Sequence, residues 1–384
     1  MAKIKVLHVT GAMNRGGAEM MIMDIYKNIS SDFHFDFLVN YNLITGIPVG
    51  DFDEEIYVMD GKIKHIGAQW EIGPIKYISD FKKKIKELGT PDIIHIHMNS
   101  KSGIIALAAK LAGIKKIITH CHGDLVFEGS LLKQIPGILE LTFQKVLINK
   151  FATNYWGCST SAVESLYYNR TIINKGALII NNAINVDNYV NLEVADSAVI
   201  KKAMNISEDT IVVGAVGRIV RRKNLSFIID ILNELQLKNI NFIFVNVGKT
   251  MDVSYMSEVE QKIRDYNLED KVMNLGLRED IPQLMNIFNV FVSPAHNEAF
   301  GIVAAEAQAA GLPTILSTEF PTEIDLQLGL VNFIEKFDAK IWADKILEVK
   351  NNRLKNDRLI KTTFQRLGFD IKENVKNIEK LYRK

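Results

Sequence analysis

Short runs of β-branched and other apolar residues recur along the chain. Each is followed by a polar or glycine-containing turn and then by a stretch with apolar residues at helical spacing. In the first half, Ile4–Thr10, His34–Val39, Glu55–Met59, Ile93–His97, Lys116–His120, Tyr155–Ser159 and Ala177–Ile180 read as strands. Ala18–Ile29, Tyr77–Leu88, Gly103–Leu111 and Leu131–Asn149 read as helices among them. The pattern pauses over Asn185–Ala203. A second series opens at Thr210–Gly217 and continues through Asn241–Val247, Val272–Leu275, Val290–Ser293 and Thr314–Leu316. Helices are expected between them near Leu225–Leu235, Ser257–Asp265, Ile281–Ile287 and Gly301–Ala310, and from Ala339 to Lys384 the pattern is helical only. Strands alternating with helices build parallel βαβ units. The expectation is an α/β protein of two Rossmann-like domains, residues 1–190 and 191–365, with a C-terminal helix over 366–384 packing back on the first.

Composition narrows the classes. The 384 residues, 47% of them hydrophobic and 24% charged, suffice for two ordinary cores without disulfide or metal staples. Lys and Arg number 46 against 45 Asp and Glu, a net charge of +1, which argues against a nucleic-acid partner. The two cysteines, Cys121 and Cys158, have no metal-ligand spacing and form no disulfide framework, as expected of a reducing compartment. Met1–Thr10 begins like a signal peptide. His8, Thr10 and Gly11 interrupt its apolar run and no small-residue cleavage site follows, so a first strand is the better reading. No run of 18 apolar residues is present, and a cytoplasmic location, extending to the inner face of the plasma membrane, is expected.

In open parallel sheets, ligands sit beyond the carboxyl ends of the strands. The residues after each strand are therefore the candidates. After the first comes Gly11-Ala12-Met13-Asn14-Arg15-Gly16-Gly17, leading into a helix. Glycines let backbone approach a ligand and a helix N-terminus attracts phosphate, although the run is neither GxGxxG nor a Walker loop. After the first strand of the second half, Arg218, Arg221, Arg222 and Lys223 put four cations within six residues, ahead of a helix. That is a place to neutralise a diphosphate, Arg by its fork and Lys as a point charge. After Val290–Ser293, Glu298 and Glu306 stand eight positions apart around Phe300, Gly301 and Ile302. Glu306 falls on a helix of small and apolar residues, where a carboxylate needs a partner such as the hydroxyls of a sugar or ribose. Two histidine pairs, His95/His97 and His120/His122, end first-half strands, each pair on one face. Packing at a strand end accounts for the first pair, a functional role fits one member of the second, and HxH alone does not make a metal site.

Taken together, these residues resemble the GT-B glycosyltransferases, in particular retaining family 4 of bacterial exopolysaccharide and capsule synthesis. The resemblance spans nearly the whole chain. It rests on Gly16-Gly17, on Arg218 and Lys223 five positions apart, and on the E-x7-E pair Glu298 and Glu306. Smaller echoes are Gly157-Cys158-Ser159, Asn181–Asn185, Leu275–Asp280 and Ala310–Ile315. Departures are Ala299 where the family has glycine, a single glycine in Val247-Gly248-Lys249-Thr250, and Thr318–Glu323 in place of a glycine-containing turn.

The resemblance implies two domains facing across a cleft. It implies metal-independent transfer of a hexosyl unit, with retention, from a nucleotide diphosphate sugar (UDP the expected nucleotide) to a saccharide or lipid-linked acceptor. Gly16, Gly17, Arg218, Lys223, Glu298, Phe300, Gly301, Ile302 and Glu306 would bind the donor. His122 would contact the transferred sugar and, with Arg218, Lys223 and Glu298, form the catalytic set. His97, His120 and Asn14 are the acceptor candidates, and no metal or other cofactor is implied. Leu131–Lys150 and the lysine-rich Tyr77–Leu88 are candidates for contact with an anionic membrane surface; amphipathic helices packed on the sheet explain them equally well. Two other readings stay open: a UDP-N-acetylglucosamine 2-epimerase-like isomerase, and a non-catalytic sugar-nucleotide-binding subunit.

Overall fold

A computed structural model describes residues 3–123, 125, 131–190, 192, 194–298 and 300–384. Asp124 and Ala299 lie outside the described residues. The chain divides into two compact units, Met1–Asn182 with Ile371–Lys384, and Ala183–Asp370. The change of unit thus falls at 182/183 and again at 370/371.

Among its described residues the first unit holds seven strands: β1 (Ile4–Thr10), β2 (Phe33–Tyr41), β3 (Ile63–Gly67), β4 (Ile93–Ile96), β5 (Lys116–Cys121), β6 (Asn154–Gly157) and β7 (Leu178–Ile179). They pair in parallel in the order β3-β2-β1-β4-β5-β6-β7. Strand alternation separates two buried faces. One carries Leu7, Val9, Ile94, Ile96 and Ile117 against Tyr77, Phe81 and Ile85 of the helix Pro74–Leu88 and against the helix Ser102–Leu111. The other carries His8, Phe35, Phe37, His95 and His120. It is covered by Tyr26 of the helix Gly17–Asn28 and by Tyr382 of the helix Ile371–Arg383. That last helix is tied down by Lys116, whose Nζ donates to the carbonyls of Leu381 and Tyr382 at 2.5 and 2.9 Å, and by an Arg383–Asp32 ion pair.

Glu55–Met59, expected as a strand, instead falls on the helix Asp53–Val58 and its C-terminal cap Met59. Asp53, Glu54 and Glu55 occupy its first turn, where the helix dipole favours acids, and Ile56 is its one buried residue. The strand of this region is β3, eight residues on. Its sequence Ile63-Lys64-His65-Ile66-Gly67 has too few apolar positions to stand out.

Among its described residues the second unit has six parallel strands, β8 (Ile211–Val216), β9 (Phe242–Val247), β10 (Val272–Asn274), β11 (Val290–Ser293), β12 (Thr314–Ser317) and β13 (Val331–Ile334). Their order is β10-β9-β8-β11-β12-β13. β13 escaped the sequence pattern because it is a short, half-buried edge strand. In each unit the strand order reverses once, between β1 and β4 and between β8 and β11. A crevice opens at such a switch point, at the strands' carboxyl ends. No helix among the described residues is long and apolar enough to cross a membrane.

Candidate functional site

In the second unit, the loops after β8 and β11 meet at the switch point. Gly217, Arg218, Lys223, Asn246 and Ser293 line a recess at the carboxyl ends of β8, β9 and β11. The two loops are tied by His296 N donating to Arg222 O at 2.8 Å and by Arg222 Nη1 donating to Asn297 O at 3.2 Å. Lys223 Nζ forms a direct ion pair with Glu298 Oε2, and Arg222 Nη1 lies 3.8 Å from the same oxygen. The four cations that look equivalent in sequence thus separate. Arg221 is held on the surface by Glu258 and Asp252 over the Tyr255 ring. Arg222 and Lys223 converge on Glu298. Arg218 is exposed and makes no ion pair among the described residues.

Glycine is required at two places here. Gly248 has φ 154°, and a Cβ there would come within 1.9 Å of the Gly217 carbonyl oxygen, so the loops after β8 and β9 pack backbone on backbone. Gly301 has φ 80° and starts the helix Ile302–Ala309. A Cβ would stand 2.3 Å from the Phe320 ring and 3.1 Å from Glu298 Cγ. Gly301 therefore sets both the helix start and the room around the Glu298 stem. Phe300 is buried and stacks on Phe369, ring centroids 5.4 Å apart, so its side chain belongs to the core. Ile302 and Glu306 are half-buried on the helix, whose small residues Ala304, Ala305 and Ala307 pack inward.

In the first unit the expected residues follow β1, β4 and β5. Asn14 is exposed in the loop after β1, and its Oδ1 accepts from Asp51 N at 3.4 Å. Gly16 precedes the helix Gly17–Asn28, and a Cβ there would strike the Glu19 carboxylate, whereas Gly17 has open space. The histidines form one buried cluster that also takes in His8, which the sequence reading passed over. Its signal was a lone imidazole inside an apolar strand, in register with His95 on β4. His8 Nδ1 lies 2.9 Å from His97 Nε2, and His97 Nδ1 lies 2.7 Å from His122 Nε2. A second row runs from the Tyr382 hydroxyl to His95 Nδ1 at 2.8 Å and from His95 Nε2 to His120 Nδ1 at 3.2 Å. His122 is half-buried at the strand end, its backbone N–H donating to Asn99 Oδ1 at 2.9 Å.

Burial opposes protonation throughout this cluster. His8 and His122 are lowered to about 3, and His95, His97 and His120 well below the usual imidazole range. For the last three, neighbouring imidazoles add to the effect. All five rings are therefore neutral near pH 7. Two trios, His8/His95/His97 and His97/His120/His122, bring nitrogens within 4.8 Å of one another, close enough to share an ion. In each trio, ring nitrogens already bond to other rings of the cluster, and among the described residues no carboxylate accompanies them.

Residues 196–366 match the family described as Glycosyl transferases group 1, and residues 45–152 match Glycosyl transferase 4-like. EpsF of Bacillus subtilis (strain 168), which bears a glycosyltransferase name, is 32% identical over 381 residues, covering 98% of this chain and 96% of its own. The Escherichia coli UDP-Gal:alpha-D-GlcNAc-diphosphoundecaprenol alpha-1,3-galactosyltransferase is 26% identical over 405 residues, covering 99% and 97%. The crystal structure of HepE from Anabaena, in complex with UDP, shares the fold with a TM-score of 0.79 at 19% identity, over 99% of this chain and all of that one.

Proposed function

Because the chain belongs to the group 1 glycosyl transferases and carries their GT-B fold, we propose that it moves a hexosyl unit from a UDP-sugar to a saccharide or lipid-linked saccharide in polysaccharide biosynthesis, with retention at the anomeric carbon. The observation that carries the reading is the convergence of Lys223 and Arg222 on Glu298 at the β8/β11 switch point, beside an exposed Arg218. In this reading the Lys223–Glu298 pair is the resting arrangement. Donor binding exchanges it for two others, Lys223 with Arg218 on the diphosphate and Glu298 on the sugar hydroxyls. Glu306 takes the ribose. Phe300, Gly301 and Ile302 act through backbone, where the helix N-terminus offers free N–H groups to an anion. Gly16 and Gly17 give the donor a second backbone approach.

As the glycosidic bond loosens, negative charge grows on the leaving diphosphate. Fixed cations aimed at that charge lower the barrier without reorganising. They supply what a divalent metal supplies elsewhere, so EDTA leaves the activity intact; loss of activity with EDTA would sink this part. Retention has the acceptor attack on the face the diphosphate leaves from, the diphosphate taking its proton. In the first unit, His122 is assigned to the transferred sugar and His97, His120 and Asn14 to the acceptor.

A lipid-linked acceptor lies at a membrane surface. The helix Leu131–Phe151 exposes Ile135, Ile138, Leu139, Phe143 and Val146 at spacings that share one face. The helix Pro74–Leu88 buries Tyr77, Phe81, Ile85 and Leu88 and turns Lys83 and Lys86 outward. We assign both to contact with the cytoplasmic leaflet. The deciding experiment offers a panel of UDP-sugars with and without saccharide and lipid-linked acceptors, follows UDP release, and reads the product anomer by NMR. Acceptor-dependent release with retained configuration supports the reading. Epimerised free donor would identify an isomerase instead, and donor binding without turnover a non-catalytic subunit.

A further inference from the structure

β4 and β5 run side by side with Ile96 opposite Thr119, and β4 ends there while β5 continues to Cys121. Carried three residues further, the same register would set Asn99 opposite His122. The chain does not continue as a strand. At Asn99 it turns, with φ 44°, into the single helical turn Asn99–Lys101 and then the helix Ser102–Leu111. The main-chain N–H of His122 thereby loses the strand that would have supplied its acceptor, and an unpaired half-buried N–H is costly. The Asn99 side chain takes the strand's place, its Oδ1 accepting from His122 N at 2.9 Å. Two demands meet at this position. The backbone needs the left-handed region, which glycine and asparagine adopt and most other residues resist. The neighbouring strand needs an acceptor oxygen, which glycine lacks. The His122 ring is held from the same side, its Nε2 2.7 Å from His97 Nδ1, while His97 N donates to Val9 O of β1 at 2.8 Å. The carboxyl end of β4 thus holds His122 at two points, one on the main chain and one on the ring.

We propose that Asn99 is a positioning residue for glycosyl transfer: its left-handed turn delivers Oδ1 to the His122 peptide and fixes His122 at the end of β5, the place assigned above to the transferred sugar. The effect on turnover rests on that reading; the hold on the His122 peptide does not. Asn99 acts through His122, and the diphosphate and ribose are assigned to residues of the second unit. Its loss therefore lowers turnover and leaves UDP affinity alone. A misplacement of about 1 Å at a group that meets the reacting sugar costs up to about a hundredfold in rate, and the loss of one neutral hydrogen bond corresponds to about tenfold.

Two substitutions separate the demands on this position. Asn99→Gly keeps the turn and removes the acceptor, whereas Asn99→Asp keeps both. Amide hydrogen exchange at His122, followed by NMR of labelled full-length protein, should speed up about tenfold in Asn99→Gly and stay near the wild-type rate in Asn99→Asp. An unchanged rate in Asn99→Gly overturns the hold on the peptide. In steady-state transfer, Asn99→Gly should lower kcat about tenfold with UDP affinity by calorimetry unchanged, and Asn99→Asp should keep most of the turnover. A His122→Ala background tests the route: there Asn99→Gly should cost no further turnover, because the group it positions is gone. A second tenfold loss in that background, or kcat and UDP affinity falling together, refutes positioning through His122. Should Asn99→Gly fold poorly, the wild-type chain and Asn99→Asp decide: both should protect the His122 amide at least about tenfold over the unfolded chain, and fast exchange in either overturns the proposal. If the wild-type chain transfers to no acceptor at all, the glycosyltransferase reading and the turnover effect fall together, and the exchange rates still decide the Asn99–His122 contact.

Discussion

Acidification should unfold the first unit well before an ordinary α/β domain would respond. Five neutral imidazoles share one buried cluster, and each becomes a proton acceptor once the chain unfolds. A folded pKa lowered beneath the unfolded one gives stability that is complete above the unfolded value of 6.5 and is lost as pH falls toward the folded value of about 3. Taking His8 and His122 at about 3, a change from about pH 7.5 to about pH 5 removes roughly 2 kcal/mol for each, so about 4 kcal/mol together. Asp24 works the other way. Burial raises its carboxyl to about 6, so it takes up a proton in the folded state and returns about 1.4 kcal/mol over the same range. The remainder is about 2.5 kcal/mol, and His95, His97 and His120 add to it with the same sign. That is a large part of the ~5–15 kcal/mol that holds a typical domain. The assay is urea unfolding across this pH range, followed by the fluorescence of Trp156, which touches His95 and Tyr382, in a Trp70→Phe, Trp342→Phe background. His8→Leu should lower the pH slope of stability by about 1.4 kcal/mol per pH unit between about pH 4.5 and 6. A midpoint that does not move between neutral pH and pH 5, or a slope untouched by His8→Leu, would refute the neutral-cluster argument.

Lys223→Ala should cut kcat by about a hundredfold or more, the scale for losing one preorganised electrostatic contact, with full turnover in a steady-state assay ruling out its diphosphate role. Gly301→Val should cost about 1–3 kcal/mol by denaturant unfolding, because the residue combines φ 80° with a Cβ position 2.3 Å from the Phe320 ring; a wild-type midpoint would contradict it. Glu306→Ala should weaken UDP binding by calorimetry about tenfold, and unchanged affinity would remove the ribose assignment. Replacing Leu139 and Phe143 by Ser should abolish flotation with vesicles containing anionic lipid while transfer to a short soluble acceptor persists; undiminished flotation would discard the membrane face.

Local chemistry was the legible part. β1 and β8 stood out because a β-branched run followed by a glycine turn is a feature of neighbouring residues, and so did Arg218, Lys223, Glu298 and Glu306, which flank such turns. Glu55–Met59 was misread because a short run with one buried apolar residue looks alike as strand or helix, and only packing of Ile56 decides. β13 was missed because an edge strand needs little apolar pattern. The cation cluster shows the limit most clearly. Arg218, Arg221, Arg222 and Lys223 are equivalent as sequence. Glu258 removes Arg221, and Glu298, 75 positions from Lys223, engages two of the others. The same holds for the imidazoles. The spacing of His95/His97 and His120/His122 put each pair on one face, since alternation along a strand is local. Joining them to His8 required the β1–β4 register, and extending the row to a hydroxyl required Tyr382, 287 positions from His95. By itself the sequence determined the strand–helix alternation and which residue types end each strand, because these depend on neighbours a few bonds apart. Which charges pair and which imidazoles share one buried cluster was settled by folding, because pairing and burial are properties of groups brought together from distant parts of the chain.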